Sequence, residues 1–123
     1  MPFDPVEYAE LERSCLALER ELQDPELARD PKVFSASARR LSELARLLAV
    51  QRRLKKILED LRQAKVLLAD QDPGIRAMAQ SEIDELAASE ASLEEELRAL
   101  KEKTDPNDAK NTIVEIRAGA GGN

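Results

Sequence analysis

From Leu11 onward, apolar residues return every three or four positions, which is the spacing of one helical face. Leu11, Cys15, Leu18 and Leu22 follow one another at 4-3-4 intervals and predict a first helix over about 5–22. A longer seam, Leu47, Val50, Leu54, Ile57, Leu61, Ala64 and Leu68, predicts a second helix over about 33–69. Upstream on that helix the stripe passes to Phe34, Leu41, Leu44 and Leu48, as though the apolar face shifted slightly along it. A third seam, Ala79, Ile83, Leu86, Glu90, Leu93, Leu97 and Leu100, predicts a helix over about 73–103. Sustained 3-4 spacing belongs to helices that pack nearly antiparallel, with side chains interlocked along a seam. The expected fold class is all-α: an elongated antiparallel helical hairpin or three-helix, coiled-coil-like bundle. At ~1.5 Å per residue the second helix alone is about 55 Å long, wider than a globular core of this chain length.

The polar positions punctuate the same plan. Five of the six prolines follow an aspartate: Pro5, Pro25, Pro31, Pro73 and Pro106. An aspartate accepts hydrogen bonds from free N–H groups at a helix start, and a proline just after it gives up a donor that would be unpaired anyway. Asp4-Pro5, Asp30-Pro31 and Asp72-Pro73 therefore open the three helices, and Glu7 stands where a capping box places its acid. Asp24-Pro25 is expected to open only a turn, because Asp30-Pro31 follows so closely. The six residues from Ala69 to Gly74 are a normal hairpin connection.

Charge sharpens the pairing. The chain has 123 residues and a net charge of -6, but residues 32–68 carry +7 while residues 4–22 and 75–103 carry -4 each. A basic helix thus stands between two acidic ones in sequence. Exposed ion pairs contribute only ~0–1 kcal/mol each, so they are expected to select partner and register while burial supplies stability. Composition then narrows the chemistry. There is no His and one Cys, which removes zinc sites, disulfides and His-assisted nucleophiles from these residues. An unpaired cysteine suits a reducing compartment. Three aromatics, Phe3, Tyr8 and Phe34, make no stacking platform for single-stranded nucleic acid. The start, Met1-Pro2-Phe3-Asp4, shows no signal peptide, and no apolar run approaches the ~20 residues of a membrane span. A cytoplasmic protein is expected, with no cofactor, no metal, no membrane and no small-molecule ligand.

After Lys110 the pattern changes. Thr112-Ile113-Val114-Glu115-Ile116-Arg117 alternates like a strand, then gives way to Ala118-Gly119-Ala120-Gly121-Gly122-Asn123. This short orphan β-strand has no partner segment, and a lone strand leaves its backbone groups unpaired. Residues 1–104 are therefore expected to be one helical domain. Residues 105–123 are read as the turn, strand and Gly-rich start of a second domain that is cut short.

The segment DPNDAKNTIVEIRAGAGGN, residues 105–123, resembles the junction between the first two domains of class-I bacterial peptide chain release factors, most closely the type-one members. The preceding stretch MAQSEIDELAASEASLEEELRALKEKTDPND is similar to the long helix before that junction. Type-two members usually lack Glu115 and Arg117 there. The resemblance is strong over about residues 77–123 and weaker upstream, where the helix order still suits the family's N-terminal domain. It implies a part in translation termination at UAA and UAG, with the codon-reading loop and the catalytic Gly-Gly-Gln loop both outside this chain. Gly121-Gly122-Asn123 is not that loop, so no catalytic residue is carried over. The implied partners are the ribosome, at the protein and rRNA of the large-subunit stalk base, and the rest of the release factor. The competing reading is a free-standing helical-hairpin module that binds another coiled coil.

One surface stands out as a contact site. Arg39, Arg40, Arg46, Arg52, Arg53, Lys55, Lys56, Arg62 and Lys65 all lie on the second helix and suit rRNA phosphates, whose counterions they would release. The bland counterpart is a solvated face neutralised by the acidic helices. Glu90 either fixes register from its seam position, with Lys55 or another base of the second helix reaching it, or turns to water. Glu94-Glu95-Glu96 reads as a solvated run, since consecutive helical carboxylates diverge and hold no cation. Cys15 reads as a small core hydrophobe.

Overall fold

The computed structural model describes residues 3–103. These are all helical apart from short connections: α1 spans Pro5–Leu22, α2 Pro25–Ala28, α3 Pro31–Leu67 and α4 Pro73–Lys103. The expected strand and the turn before it lie outside the described residues.

The Asp-Pro signals work as read. The carboxylates of Asp4 and Asp24 accept from the backbone N–H groups of Val6 and Glu26, each at 2.9 Å, and that of Asp30 accepts from Val33 at 3.4 Å. Asp72 does the same for Gly74 at 2.8 Å, at the start of α4. Asp24-Pro25 does more than turn the chain. It opens the single-turn helix α2, closed by a bond from the Ala28 N–H to the Asp24 carbonyl at 3.3 Å. Glu7 does not act as a capping-box acid; its carboxylate is drawn off to α3 and α4 instead. At the far end α3 stops at Leu67, two residues short of expectation. Leu68, Ala69 and Asp70 bond back three residues rather than four, to Lys65, Val66 and Leu67 at 3.1–3.2 Å. That tightened turn carries Leu68 off the seam.

Helix α3 is the spine. It runs antiparallel to α4 across the hairpin, and α1 lies along its first half, also antiparallel, with Glu7 beside Gln51 and Leu22 near Leu41. The core is densest where the three helices meet. It joins Leu11, Cys15 and Leu18 of α1 with Leu44, Leu47, Leu48, Val50 and Leu54 of α3 and Leu93 and Leu97 of α4. Toward the turn only α3 and α4 remain, and there the buried residues are Leu61, Ala64 and Ala79. Burying residues as small as Ala64 and Ala79 brings the two backbones close together.

The shift of the stripe along α3 has a different cause from a gradual drift. Leu44, Leu48 and Gln51 form a second buried row, three or four residues apart, facing α1, while Leu47, Val50, Leu54, Leu61 and Ala64 face α4. One helix therefore buries two faces, and only where α1 covers the second. Gln51 is fully buried in that row. Its Nε2 donates to Glu7 Oε1 at 3.1 Å, and its Oε1 meets no hydrogen-bond donor among the described residues.

The ion pairs follow local geometry more than net charge. Arg52 of α3 lies 3.7 Å from Glu12 of α1, as the charge contrast predicts. Lys101 pairs with Glu7 at 2.8 Å, and this joins α4 to α1, the two acidic helices. Other pairs run within one helix, as in Lys56 with Asp60 at 3.0 Å and Arg98 with Glu95 and Glu102. Among the described residues no helix is long and apolar enough to cross a membrane.

Candidate functional site

The nine candidate basic residues on α3 do not form one patch; packing sorts them into three groups. Arg40 is drawn inward, its side chain only 13% exposed, and its guanidinium lies 3.7 Å from Glu43. Arg52, Lys55 and Lys56 are engaged in other contacts. Arg52 Nε donates to the Tyr8 hydroxyl at 3.3 Å, and this bond, with Glu12 beside it, pushes the guanidinium pKa further up. Lys55 Nζ stands over the Tyr8 ring, 5.3 Å from its centroid, in cation–π geometry. The hydrogen bond from Lys56 to Asp60 holds that ammonium more firmly protonated.

Arg39, Arg46 and Arg53 are left exposed, together with Arg62 and Lys65, with no ion pair among the described residues. Arg39, Arg46 and Arg53 are spaced by seven, so they line one edge of α3 at intervals of about 10.5 Å. A row of this kind presents permanently charged, planar donors to an anionic surface without first breaking an internal contact. The acids of α1 and α4 do not neutralise it. That is the physical difference between these arginines and the rest of the cluster.

Helix α1 takes up Arg52 and Lys55, a role not visible in sequence, whereas Arg40 and Lys56 pair with acids of α3 itself. The first turn of α1 carries Glu7 and Tyr8, which between them touch Gln51, Arg52, Lys55 and Lys101. Phe3 packs beside Tyr8, ring centroids 5.7 Å apart. A sequence signal did exist: two of the three aromatics stand within five residues of each other, just where α1 begins. Lys55 lies on the α1 side of the spine, so it does not meet Glu90 of α4. Glu90 itself is half-buried on the seam.

The other candidates resolve more simply. Cys15 is buried, and that burial, assisted by Glu19 and opposed by Arg52, raises its thiol pKa. Glu95 forks to Arg98, whose hydrogen bond and charge hold the carboxylate below its ordinary range. Among the described residues no three His, Cys, Asp or Glu side chains converge as a metal site requires. A shallow groove of about 570 Å³ runs between α1 and α3, floored by Leu16, Leu41 and Leu48 and edged by Glu12, Arg13 and Arg52. Its walls carry both signs.

Comparison with known proteins adds an independent line. The profile of the PCRF domain matches residues 11–123. Peptide chain release factor 1 of Maridesulfovibrio salexigens is 42% identical over 92% of this chain and 32% of its own length. The protein of the same name from Thermus thermophilus is 40% identical over 91% of this chain and 31% of its own length. That of Geotalea uraniireducens is 39% identical over 98% of this chain and 33% of its own. The chain therefore spans about a third of the length of the curated relatives it matches. No solved structure matches.

Proposed function

The chain belongs to the class-I bacterial peptide chain release factor family, and on that premise we propose that it is the N-terminal helical module of a type-one factor, which holds the factor on the ribosome during termination at UAA and UAG. Residues 1–104 are its helical domain and residues 105–123 lead into the second domain. The partners are the large-subunit stalk base, through rRNA and protein, and the rest of the factor. The cellular compartment is the cytoplasm, and the module itself performs no chemistry.

The observation that carries this reading is the unpaired row Arg39, Arg46 and Arg53 on a protein of net charge -6. In a chain so acidic, three uncompensated arginines in line favour a phosphate backbone over a generic solvated face, because each released counterion contributes to binding. Helix α3 supports the row rigidly from behind through Leu44, Leu47, Val50 and Leu54. Rigid support keeps the ordering cost of binding small.

The test is a binding titration of the chain against large ribosomal subunits at several salt concentrations. Neutralising three phosphates gives a log–log salt slope of about -2 to -3. The variant carrying Arg39→Glu, Arg46→Glu and Arg53→Glu is expected to lose binding and flatten the slope. Unchanged affinity and slope in that variant overturn the assignment of the row. Peptidyl-tRNA hydrolysis by the chain alone on stop-codon ribosomes overturns the non-catalytic role.

A further inference from the structure

Helix α1 turns one face away from the core, and α3 and α4 leave that face uncovered. Leu16 stands at its centre, 52% exposed. Ala9 and Gln23 lie one heptad before and after Leu16 on the same face. At about 100° per residue, Glu12 and Glu19 fall about 40–60° to one side of Leu16, and Arg13 and Arg20 fall about as far to the other. The face is therefore a small apolar line with an acidic flank and a basic flank. Glu12 reaches Arg52 of α3 at 3.7 Å, so the acidic flank is the one toward α3. Arg13, Glu19 and Arg20 are exposed and carry no ion pair among the described residues.

The acidic flank also edges the groove between α1 and α3. Leu16, Leu41 and Leu48 floor that groove, and Glu12 and Glu19 line it. A second hollow of about 500 Å³ prolongs it past Leu16 and Glu19 to Leu22 and Gln23, again over Leu41. An apolar floor beside carboxylates fits an arginine, whose stem lies on the apolar surface while its guanidinium meets the acid. Arg13 and Arg20 are seven residues apart on the opposite flank of α1, the same interval that separates Glu12 from Glu19. The face thus holds both halves of one contact, on either side of Leu16.

We infer that this face of α1 is a docking site for a second copy of the chain, the two α1 helices packing in parallel about a two-fold axis. In that arrangement Leu16 meets Leu16 of the other copy, and the basic flank of each helix falls on the acidic flank of the other. Arg13 comes opposite Glu12 and Arg20 opposite Glu19, twice over, with the arginine stems laid toward the two grooves. An antiparallel pairing sets Glu12 against Glu19 and Arg13 against Arg20, like against like, and is disfavoured. The same patch serves on both copies, so the contact closes as a dimer and builds no filament. One face of an 18-residue helix falls short of the ~1,200–2,000 Å² of standard interfaces, so the dimer is weak and depends on concentration. A nucleic acid meets as many carboxylates as guanidiniums on this face, which therefore does not favour it.

The test is sedimentation equilibrium of the whole chain after nuclease treatment, over a series of concentrations. A reversible monomer–dimer equilibrium is expected, weakening as salt rises. Leu16→Glu should raise the dissociation constant about tenfold or more, through lost burial and a charge at the centre. Two further variants, Glu19→Arg and Arg20→Glu, break no ion pair among the described residues. Each alone should dimerise several-fold more weakly than the wild type, and their equimolar mixture should recover association as a one-to-one complex. The mixture recovers only if these charges act across an interface, and unchanged circular dichroism verifies that each variant is folded. Orientation is read by oxidation in a Cys15→Ala background. Gln23→Cys should form a disulfide with its own copy, whereas an antiparallel pair joins Gln23→Cys only to Ala9→Cys. Arg46→Glu should leave dimerisation intact, which separates this face from the arginine row and from the fate of that proposal. The inference is overturned if the nuclease-treated chain stays monomeric at millimolar concentration or if Leu16→Glu leaves association unchanged. It is also overturned if the mixture of charge variants fails to recover, or if the disulfide forms between positions 9 and 23.

Discussion

Leu54 offers the most direct test of the packing. It is fully buried, at 0% exposure, in the cluster shared by all three long helices. Leu54→Ala removes three side-chain carbons. At ~0.8 kcal/mol per buried CH₂ that is about 2.4 kcal/mol of transfer free energy. A rigid spine held from two sides collapses poorly into the space left, so a cavity term adds to it. The total should fall at about 3–4 kcal/mol, inside the range of ~2.7–5 found for buried leucines. For a domain of this size 1 kcal/mol moves Tm by ~4–8 °C, so a fall of about 12–30 °C is expected. The assay is a melt followed by circular dichroism at 222 nm, paired with urea unfolding to verify that the m-value is unchanged. The control is Val66→Ala, whose side chain is exposed at the hairpin tip. It should cost no more than ~0.5 kcal/mol, as surface substitutions usually do. Equal losses for the two variants, or less than about 1 kcal/mol for Leu54→Ala, would refute the placement of α3 between α1 and α4.

The contacts of α1 give further expectations. Glu7→Ala leaves the buried Gln51 Nε2 without its acceptor and should cost ~1–3 kcal/mol in urea titrations, whereas Lys101→Ala, at a part-exposed pair, should cost under ~1. Asp30→Ala removes the cap of α3 and should cost ~0.5–2 kcal/mol, read by the same titration. Cys15, with its thiol pKa raised by burial, should react slowly with a disulfide reagent at pH 8 in the native protein and at once in urea. Because Arg98 lowers the Glu95 pKa on folding, that contribution to stability is present above the unfolded carboxylate pKa and is lost as pH falls through the folded value. An NMR titration should find the Glu95 midpoint below that of ordinary glutamates, and Arg98→Gln should return it.

Much of this architecture was legible from the chain. Backbone hydrogen-bond demands and a 3-4 apolar repeat are local properties, so the Asp-Pro starts, the three long helices and the hairpin turn could be read residue by residue. The hairpin seam survives almost intact, from Leu47 and Val50 through Ala64 on one side and from Ala79 through Leu100 on the other, with Leu68 lost to the tightened turn. The errors share a cause. Leu44 and Leu48 read as a drifting stripe because a sequence records that a residue is apolar, not which neighbour covers it. Gln51 gave no sign of burial because only Glu7, far off in the chain, supplies its acceptor. Likewise the basic cluster looked uniform, since every arginine and lysine on a helix has the same charge until something packs beside it.

The sequence by itself determined where the helices begin, which helices carry apolar seams, and that the spine is basic between acidic flanks. Only the tertiary structure decided which charges are free. The first turn of α1 comes down on α3, and its Tyr8, with Glu12 one turn on, takes up Arg52 and Lys55. Arg39, Arg46 and Arg53 are left facing solvent on another edge. The physical reason is one of range: capping and periodicity act within a few residues, whereas solvation of a charge depends on which distant helix excludes the water around it.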